Sequence, residues 1–408
     1  MKDSNISDKK IYVALSGGVD SSVVAALLVE RGYDVTGVYM KNWSNNNGIS
    51  DTCPWEEDVA EVEKVANHLG IPWKVYNFEK EYKERILNYF FHEYKVGRTP
   101  NPDILCNNLV KFDLFAKKVF AEGATHVATG HYARRQGTQG FPWEQTGELG
   151  LYTAIDSTKD QCYFLQRLSK EQLENALFPL GGLYKSEVRV LAKQFNLPNA
   201  LRKDSQGICF IGDIDVKDFI RKNLQTNPGD IIDTDSGKIV GKHQGLWFYT
   251  IGQRQGIEIA SSGEPYFVVG KNAVNNQLEI ARGHEHHLLR KKIIKITDLH
   301  SMTEKIQDGQ LLLAALRYRE VPQLARIKIL DDESAELVAM TEKLFWAAAP
   351  GQGVLLYEDT EVGKFAERRE PVFSAVNAEV KQCIGEYFTV RESLERYVRI
   401  IGAATIAI

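Results

Sequence analysis

Two stretches place cysteine thiols beside charged and turn-forming residues. In Gly97–Phe112, "GRTPNPDILCNNLVKF", Asp103 stands three residues before Cys106, and Pro100 and Pro102 force an extended loop. In Lys203–Asp213, "KDSQGICFIGD", Cys209 follows Gly207, which lets a ligand approach closely, and nearby Lys203 favours thiolate. Each cysteine could equally be a small buried hydrophobe. A third stretch, "IYVALSGGVDSSVVAALL" at Ile11–Leu28, breaks an apolar run with Ser16-Gly17-Gly18 and continues with Asp20, Ser21 and Ser22, which suit a helix start. A glycine turn feeding a helix presents unpaired N–H groups and the positive end of a dipole, a ready phosphate site. The string is neither GxxxxGK[ST] nor GxGxxG. An ordinary, well-capped strand-to-helix turn is the plainer alternative.

The elements that must position these residues read as α/β. A strand over Ile11–Leu15, a helix over Val23–Glu30 stopped near Gly32 and a strand over Val35–Met40 make one right-handed βαβ unit. Helices are predicted over Glu56–Leu69, Glu79–Tyr94 and Asp113–Ala121, and strands over Trp73–Phe78 and Thr125–Gly130. A mostly parallel sheet binds ligands at the carboxyl ends of its strands. Ser16–Ser21, Met40–Trp43 and Gly130–Tyr132 are therefore expected to converge on one site. Beyond Gly212, Gly, Asp and Asn turn signals separate short β-like runs. The division expected is 1–213, a catalytic α/β domain; 214–286, a small β-rich domain; 287–361, a barrel or sandwich of short strands; and 362–408, an extension of unknown role with a helix over Arg391–Ile401.

The 408 residues suffice for two or three domains, and 43% hydrophobic with 25% charged residues is ordinary globular composition. A net charge of −4 restricts any RNA site to a local basic patch. The five cysteines form no CxxC, which argues against a zinc knuckle and fits a reducing compartment. The polar start "MKDSNISDKK" is unlike a signal peptide, and no run is long enough to span a bilayer. A cytoplasmic protein without membrane attachment is expected.

The Ser16–Ser22 string resembles the pyrophosphate loop of the ATP-pyrophosphatase superfamily, which cuts ATP between its α and β phosphates. SGGVDSS at 16–22, NPDILCN at 101–107, TGHYA at 129–133, KDQ at 159–161, GICFIG at 207–212 and LRYRE at 316–320 together resemble the tRNA-specific 2-thiouridylase family. The resemblance implies a Rossmann-like N-terminal domain of the adenine nucleotide alpha hydrolase type, a small mostly β central domain and a C-terminal β-barrel that binds tRNA. It implies that sulfur replaces the C2 oxygen of the wobble uridine in tRNAs for Lys, Glu and Gln, with release of AMP and pyrophosphate. ATP would sit on Ala14, Leu15, Ser16, Gly17, Gly18, Val19, Asp20 and Ser21, with Met40 and Gly130 bordering adenine or ribose. Mg²⁺ would arrive with ATP rather than in a protein-held site. Cys209 would carry persulfide sulfur from a relay protein or cysteine desulfurase. Cys106 would help release it, leaving a transient Cys106–Cys209 disulfide. Asn101, Pro102 and Asp103 would receive the flipped uracil, with Asp103 the acid/base. His131, Lys159, Asp160, Gln161, Arg317, Tyr318 and Gln352 match family tRNA contacts. Cys162 stands where the family commonly has Ser and is taken as a spectator.

Two other functions share parts of this pattern. A GMP-synthetase-like amidotransferase partner would use SGGVDSS but needs no pair of cysteine loops. A non-catalytic ATP- or RNA-binding module would leave Asp103, Cys106 and Cys209 without a shared purpose.

Overall fold

Strand alternation sets the centre of the N-terminal domain. In strand β1, Lys10–Ala14, Tyr12 and Ala14 face one hydrophobic core, while Ile11 and Val13 face another. Both faces are covered, so the whole strand reads as apolar. The computed structural model describes residues 9–44, 55–137, 145–146, 148–204, 216–259, 263–359 and 398–407. Helix α1, Val19–Glu30, packs on the Ile11 face and buries Val19 and every residue from Ser21 to Leu28, which explains its nearly all-round apolar sequence. Strand β2, Asp34–Lys41, pairs parallel with β1. Helix α2, Trp55–Leu69, leads to β3, Trp73–Asn77, parallel to β2. A helical run over 79–95 and another over 102–121 precede β4, His126–Ala128, on the other side of β1. The sheet order is β3-β2-β1-β4, with Ala176–Leu177 parallel to β4 at the edge.

The expected elements of this domain are present, with one correction. The segment before Asp113 is not an extended loop. Helix begins at Pro102, because Asn101 caps it by accepting from the Asp103 N–H (3.0 Å) and proline suits the first helical position. Cys106 therefore lies on a helix, at the start of wide, π-type turns over Cys106–Phe115.

The central domain is a four-stranded sheet built from Gly229–Asp233, Lys238–His243, Tyr266–Asn272 and Gln277–Arg282. The C-terminal domain is a closed six-stranded barrel. Ile293–Ser301 pairs with Ser334–Ala339, which pairs with Gln323–Ile329, then Leu311–Ala315, then Gly353–Asp359. Val398–Ile406 pairs antiparallel with both Gly353–Asp359 and Ile293–Ser301 and closes the ring.

That last strand corrects the expected helix over Arg391–Ile401. Residues 398–401 are strand, and 391–397 lie outside the described residues. The run "VRIIGAATI" has the small and β-branched residues of a strand buried on both faces: Ile401, Ala404 and Ile406 sit in the barrel core, and Ile400 in the core shared with the N-terminal domain. The strand also pairs through Arg399 and Ile400 with Tyr152 and Leu151, so the barrel sheet continues onto a ribbon from the N-terminal region.

Candidate active site

The phosphate turn is shaped by three glycines. Gly17 has φ +74°, and a Cβ there would lie 2.8 Å from Arg202 Nη1 and 2.9 Å from the Asp58 carbonyl oxygen. Gly130, beyond the end of β4, would bring a Cβ within 2.9 Å of the Ser21 backbone nitrogen. Glycine at 130 thus lets the TGHY segment lie against the turn. Gly18, at the start of α1, leaves its backbone accessible, as a phosphate cradle requires. Leu15 donates its N–H to Val38 O (2.8 Å), and Met40 is buried two residues further along β2. The turn donors are held internally: Ser16 N–H donates to Ser21 Oγ (3.2 Å), and Gly18 N–H to Ser16 Oγ (3.3 Å).

Asp20 leaves the turn toward Tyr132, whose hydroxyl donates to Asp20 Oδ1 (3.0 Å). Lys185 Nζ lies 2.6 and 2.8 Å from its two carboxylate oxygens. The same ammonium is 2.8 Å from Asp204, which also pairs with Lys159 (2.8 Å) and Arg189. Burial works to raise the Asp204 pKa, but Lys159 and Lys185 override it and hold the carboxylate well below its usual range. Arg202 and Asn199 donate to Gly17 O at 3.0 and 2.8 Å. Among the described residues, no cluster of His, Cys, Asp or Glu could hold a metal ion.

A second group of residues forms a cavity of about 400 Å³ where the three domains meet. Asn101 and Tyr163 come from the N-terminal domain, Thr250 and Gln253 from the central domain, and Arg317, Tyr318 and Gln352 from the C-terminal domain. Tyr318 packs on Phe164 at 4.6 Å between ring centroids. Arg317 spans the junction: it donates to Ile251 O (3.0 Å) and Ala347 O (2.7 Å), with its guanidinium 4.7 Å from the Trp346 ring. Gln352 Oε1 is buried with no partner among the described residues, an acceptor able to meet a ligand donor. The segment before Asn101 is gripped from outside its own domain. Lys271 donates to Gly97 O (3.0 Å), Thr99 N–H to Pro350 O (2.8 Å), and the Thr99 and Thr250 hydroxyls are 3.3 Å apart.

Residues 159–163 join the two groups. Lys159 sits on Asp204; Gln161 exchanges hydrogen bonds with the Tyr132 backbone (2.8 and 2.9 Å); Tyr163 lines the cavity. Four residue steps span at most ~14 Å, so the phosphate turn's ion cluster and the cavity are neighbours. Asp160 caps this turn by accepting from Ala154 N–H (2.6 Å) and Cys162 N–H (3.2 Å); burial raises its pKa to about 6. Cys162 is fully buried, its thiol pushed up by burial and bonded to Tyr152 O.

Several expected residues are thus brought together: Ser16–Ser21 with Gly130 and Lys159, and Asn101 with Arg317, Tyr318 and Gln352. His131 joins neither group. It is buried between Phe112 and Phe178, bonded to Thr129 Oγ1 (2.8 Å), and kept neutral by burial and by the charge of Lys111. Cys106 is fully buried one helical turn beyond Asp103. Cys209 lies outside the described residues. Sequence reading missed Lys185, Asn199 and Arg202, and also Tyr163, Thr250 and Gln253. The run "YTIGQR" at 249–254, polar and glycine-containing between β-like runs, was the available signal for the last two.

Residues 9–213 match the model of the tRNA methyl transferase HUP domain, 217–282 its PRC-barrel domain, and 291–362 the aminomethyltransferase beta-barrel domain. The tRNA-specific 2-thiouridylase MnmA of Neisseria gonorrhoeae is 45% identical over 87% of this chain and 93% of its own length. The chain belongs to the tRNA-specific 2-thiouridylase family. The relative of that name from Listeria innocua is 43% identical over the same shares of the two chains. Both groups of site residues lie within the matched domains of the family, whereas the barrel-closing strand 398–406 lies beyond the matched 291–362.

Proposed function

We propose that the protein converts the wobble uridine of tRNAs for Lys, Glu and Gln to 2-thiouridine, consuming ATP to AMP and pyrophosphate. The observation that carries this reading is the 159–163 bridge between a phosphate turn and a base-sized, aromatic-walled cavity. The glycine-lined turn fits the phosphates of ATP, with Ala14 to Ser21 around them and Met40 and Gly130 toward the nucleoside. Mg²⁺ bound with ATP supplies charge neutralisation. A carbonyl oxygen is a poor leaving group, and adenylation at C2 makes it a good one. Asn101, Pro102 and Asp103 receive the extruded uracil, and Asp103 handles the proton. Cys209 delivers persulfide sulfur from a relay or desulfurase donor, and Cys106 attacks that persulfide, so that a Cys106–Cys209 disulfide remains. Arg317, Tyr318 and Gln352 engage the RNA directly. Gln161 holds the 159–163 turn against Tyr132, Asp160 caps that turn, Lys159 ties it to Asp204, and His131 packs between Phe112 and Phe178, so these four act by positioning the RNA-facing residues. No helix among the described residues is long and apolar enough to cross a membrane. The test is mass spectrometry of tRNA nucleosides from cells lacking the protein. Loss of wobble 2-thiouridine, restored by the intact gene, supports the proposal; an unchanged level overturns it.

A further inference from the structure

Lys185 is placed for a task that neither the turn motif nor the family's matched residues assign to it. It is the first residue of the helix Lys185–Gln194, and its backbone N–H is fixed by Asp156 (3.0 Å). Its side chain reaches across 165 positions of sequence to Asp20, inside the phosphate turn. It is mostly buried, 14% exposed.

The charges around it balance while no phosphate is bound. Lys159, Lys185 and Arg189 face Asp20 and Asp204, with Asp156 alongside. The Arg202–Asp58 pair completes the ring. ATP adds several negative charges to this neutral ring, beside the Asp20 carboxylate. One cation must change partners, and Lys185 is the one already seated on a carboxylate of the turn itself; its departure leaves neither Asp20 nor Asp204 without a hydrogen-bond partner. Asp204 keeps Lys159 and Arg189, and Asp20 keeps the Tyr132 hydroxyl. Arg202, by contrast, is tied to Asp58 (2.6 Å) and to the turn carbonyl of Gly17 (3.0 Å). The turn's own donors are parked in the same way, on the Ser16 and Ser21 hydroxyls.

We propose that Lys185 is a phosphate ligand. When ATP enters, its ammonium exchanges the Asp20 carboxylate for oxygens of the β- and γ-phosphates, and it holds the pyrophosphate as it leaves. A lysine suits this exchange, because its ammonium is a point charge with three rotatable donors and no fixed fork. The inference rests on the proposed cleavage of ATP to AMP, but its test needs no tRNA.

Binding of pyrophosphate, ATP and AMP to the intact protein is measured by calorimetry for wild type and Lys185→Met. A charge-assisted phosphate contact predicts pyrophosphate and ATP affinities roughly 10- to 100-fold weaker in the variant, with AMP affinity unchanged. Lys185→Arg should recover part of the loss. If Lys185→Met does not fold, Lys185→Gln, which keeps a donor for Asp20, carries the same comparison. Unchanged pyrophosphate affinity in a folded variant, or an equal loss for AMP, overturns the proposal. Failure of the thiolation reading would appear instead as wild-type protein that binds pyrophosphate but forms no 2-thiouridine.

Discussion

The Tyr132 hydroxyl donates to the Asp20 carboxylate at 3.0 Å, joining the end of the TGHY segment to the phosphate turn. Asp20 is thus held from the β4 side as well as by Lys185. Asp20→Ala should abolish AMP formation and leave the fold intact, because the carboxylate lies at the rim of the core. Circular dichroism with a pyrophosphate-release assay checks both halves. Residual AMP formation near the wild-type rate would show that Asp20 only shapes the turn.

A chain ending near residue 361 loses the strand that closes the barrel. It exposes the edges of Ile293–Ser301 and Gly353–Asp359 and removes buried Ile400, Ile401 and Ile406. At 1.5–3 kcal/mol per buried side chain, the loss is about 5 kcal/mol or more. The truncated chain should show an unfolded C-terminal domain in limited proteolysis and lose tRNA binding. A protease-resistant barrel in that chain would contradict the closure described here.

That strand also shows where sequence reading stops. Its small and apolar residues, "IIGAATIAI", fit a docking helix as well as a buried strand, and its partners lie about 40 and 100 positions away. Local pattern carries no record of such pairing. The N-terminal sheet was legible because its strands are short apolar runs punctuated by Gly17, Gly32 and Gly70. The phosphate turn was legible from residue types alone. Lys185 and Arg202 were not, since a lysine opening a helix and an arginine in a loop look like solvated surface until the fold brings them to Asp20 and Gly17. Cys106 was expected in a loop because two prolines precede it, yet Pro102 starts a helix once Asn101 caps it.

Arg317 bridges the central and C-terminal domains while lining the cavity. Arg317→Ala should weaken tRNA binding and make the salt dependence of log K about one unit less steep, as for one lost phosphate contact. ATP binding should be unchanged. A salt titration of tRNA affinity decides this. Weaker binding with an unaltered slope would assign Arg317 to domain packing alone.

Burial pulls the Lys271 ammonium, which grips Gly97 O, down from 10.5 to about 8. The folded chain gives up this proton near pH 8 and the unfolded chain only near 10.5, so between these values the unfolded state holds more protons. Stability contributed by this site therefore rises with pH across that window. Relative to Lys271→Met, the wild type should gain on the order of 2 kcal/mol from the bottom to the top of it, read by urea denaturation. A constant difference would place the amine in contact with water.

Cys162→Ser should turn over within about twofold of wild type, since the hydroxyl can still donate to Tyr152 O and the buried thiol is inert. Cys106→Ser should retain a persulfide on Cys209 and stall at transfer. Single-turnover thiolation with a persulfide donor, a cysteine desulfurase supplied with cysteine, compares them. Equal impairment of the two variants would remove the special role of Cys106.

The most direct test of the account is the nucleotide product formed with each 2-thiouridine. Purified protein, radiolabelled ATP, a persulfide donor with a thiol reductant and an unmodified tRNA transcript for Lys are sampled over time, with nucleotides and tRNA nucleosides quantified in the same aliquots. The account predicts one AMP and one pyrophosphate for each 2-thiouridine, with no ADP. ADP as the stoichiometric product, or 2-thiouridine formed without ATP cleavage, would contradict it.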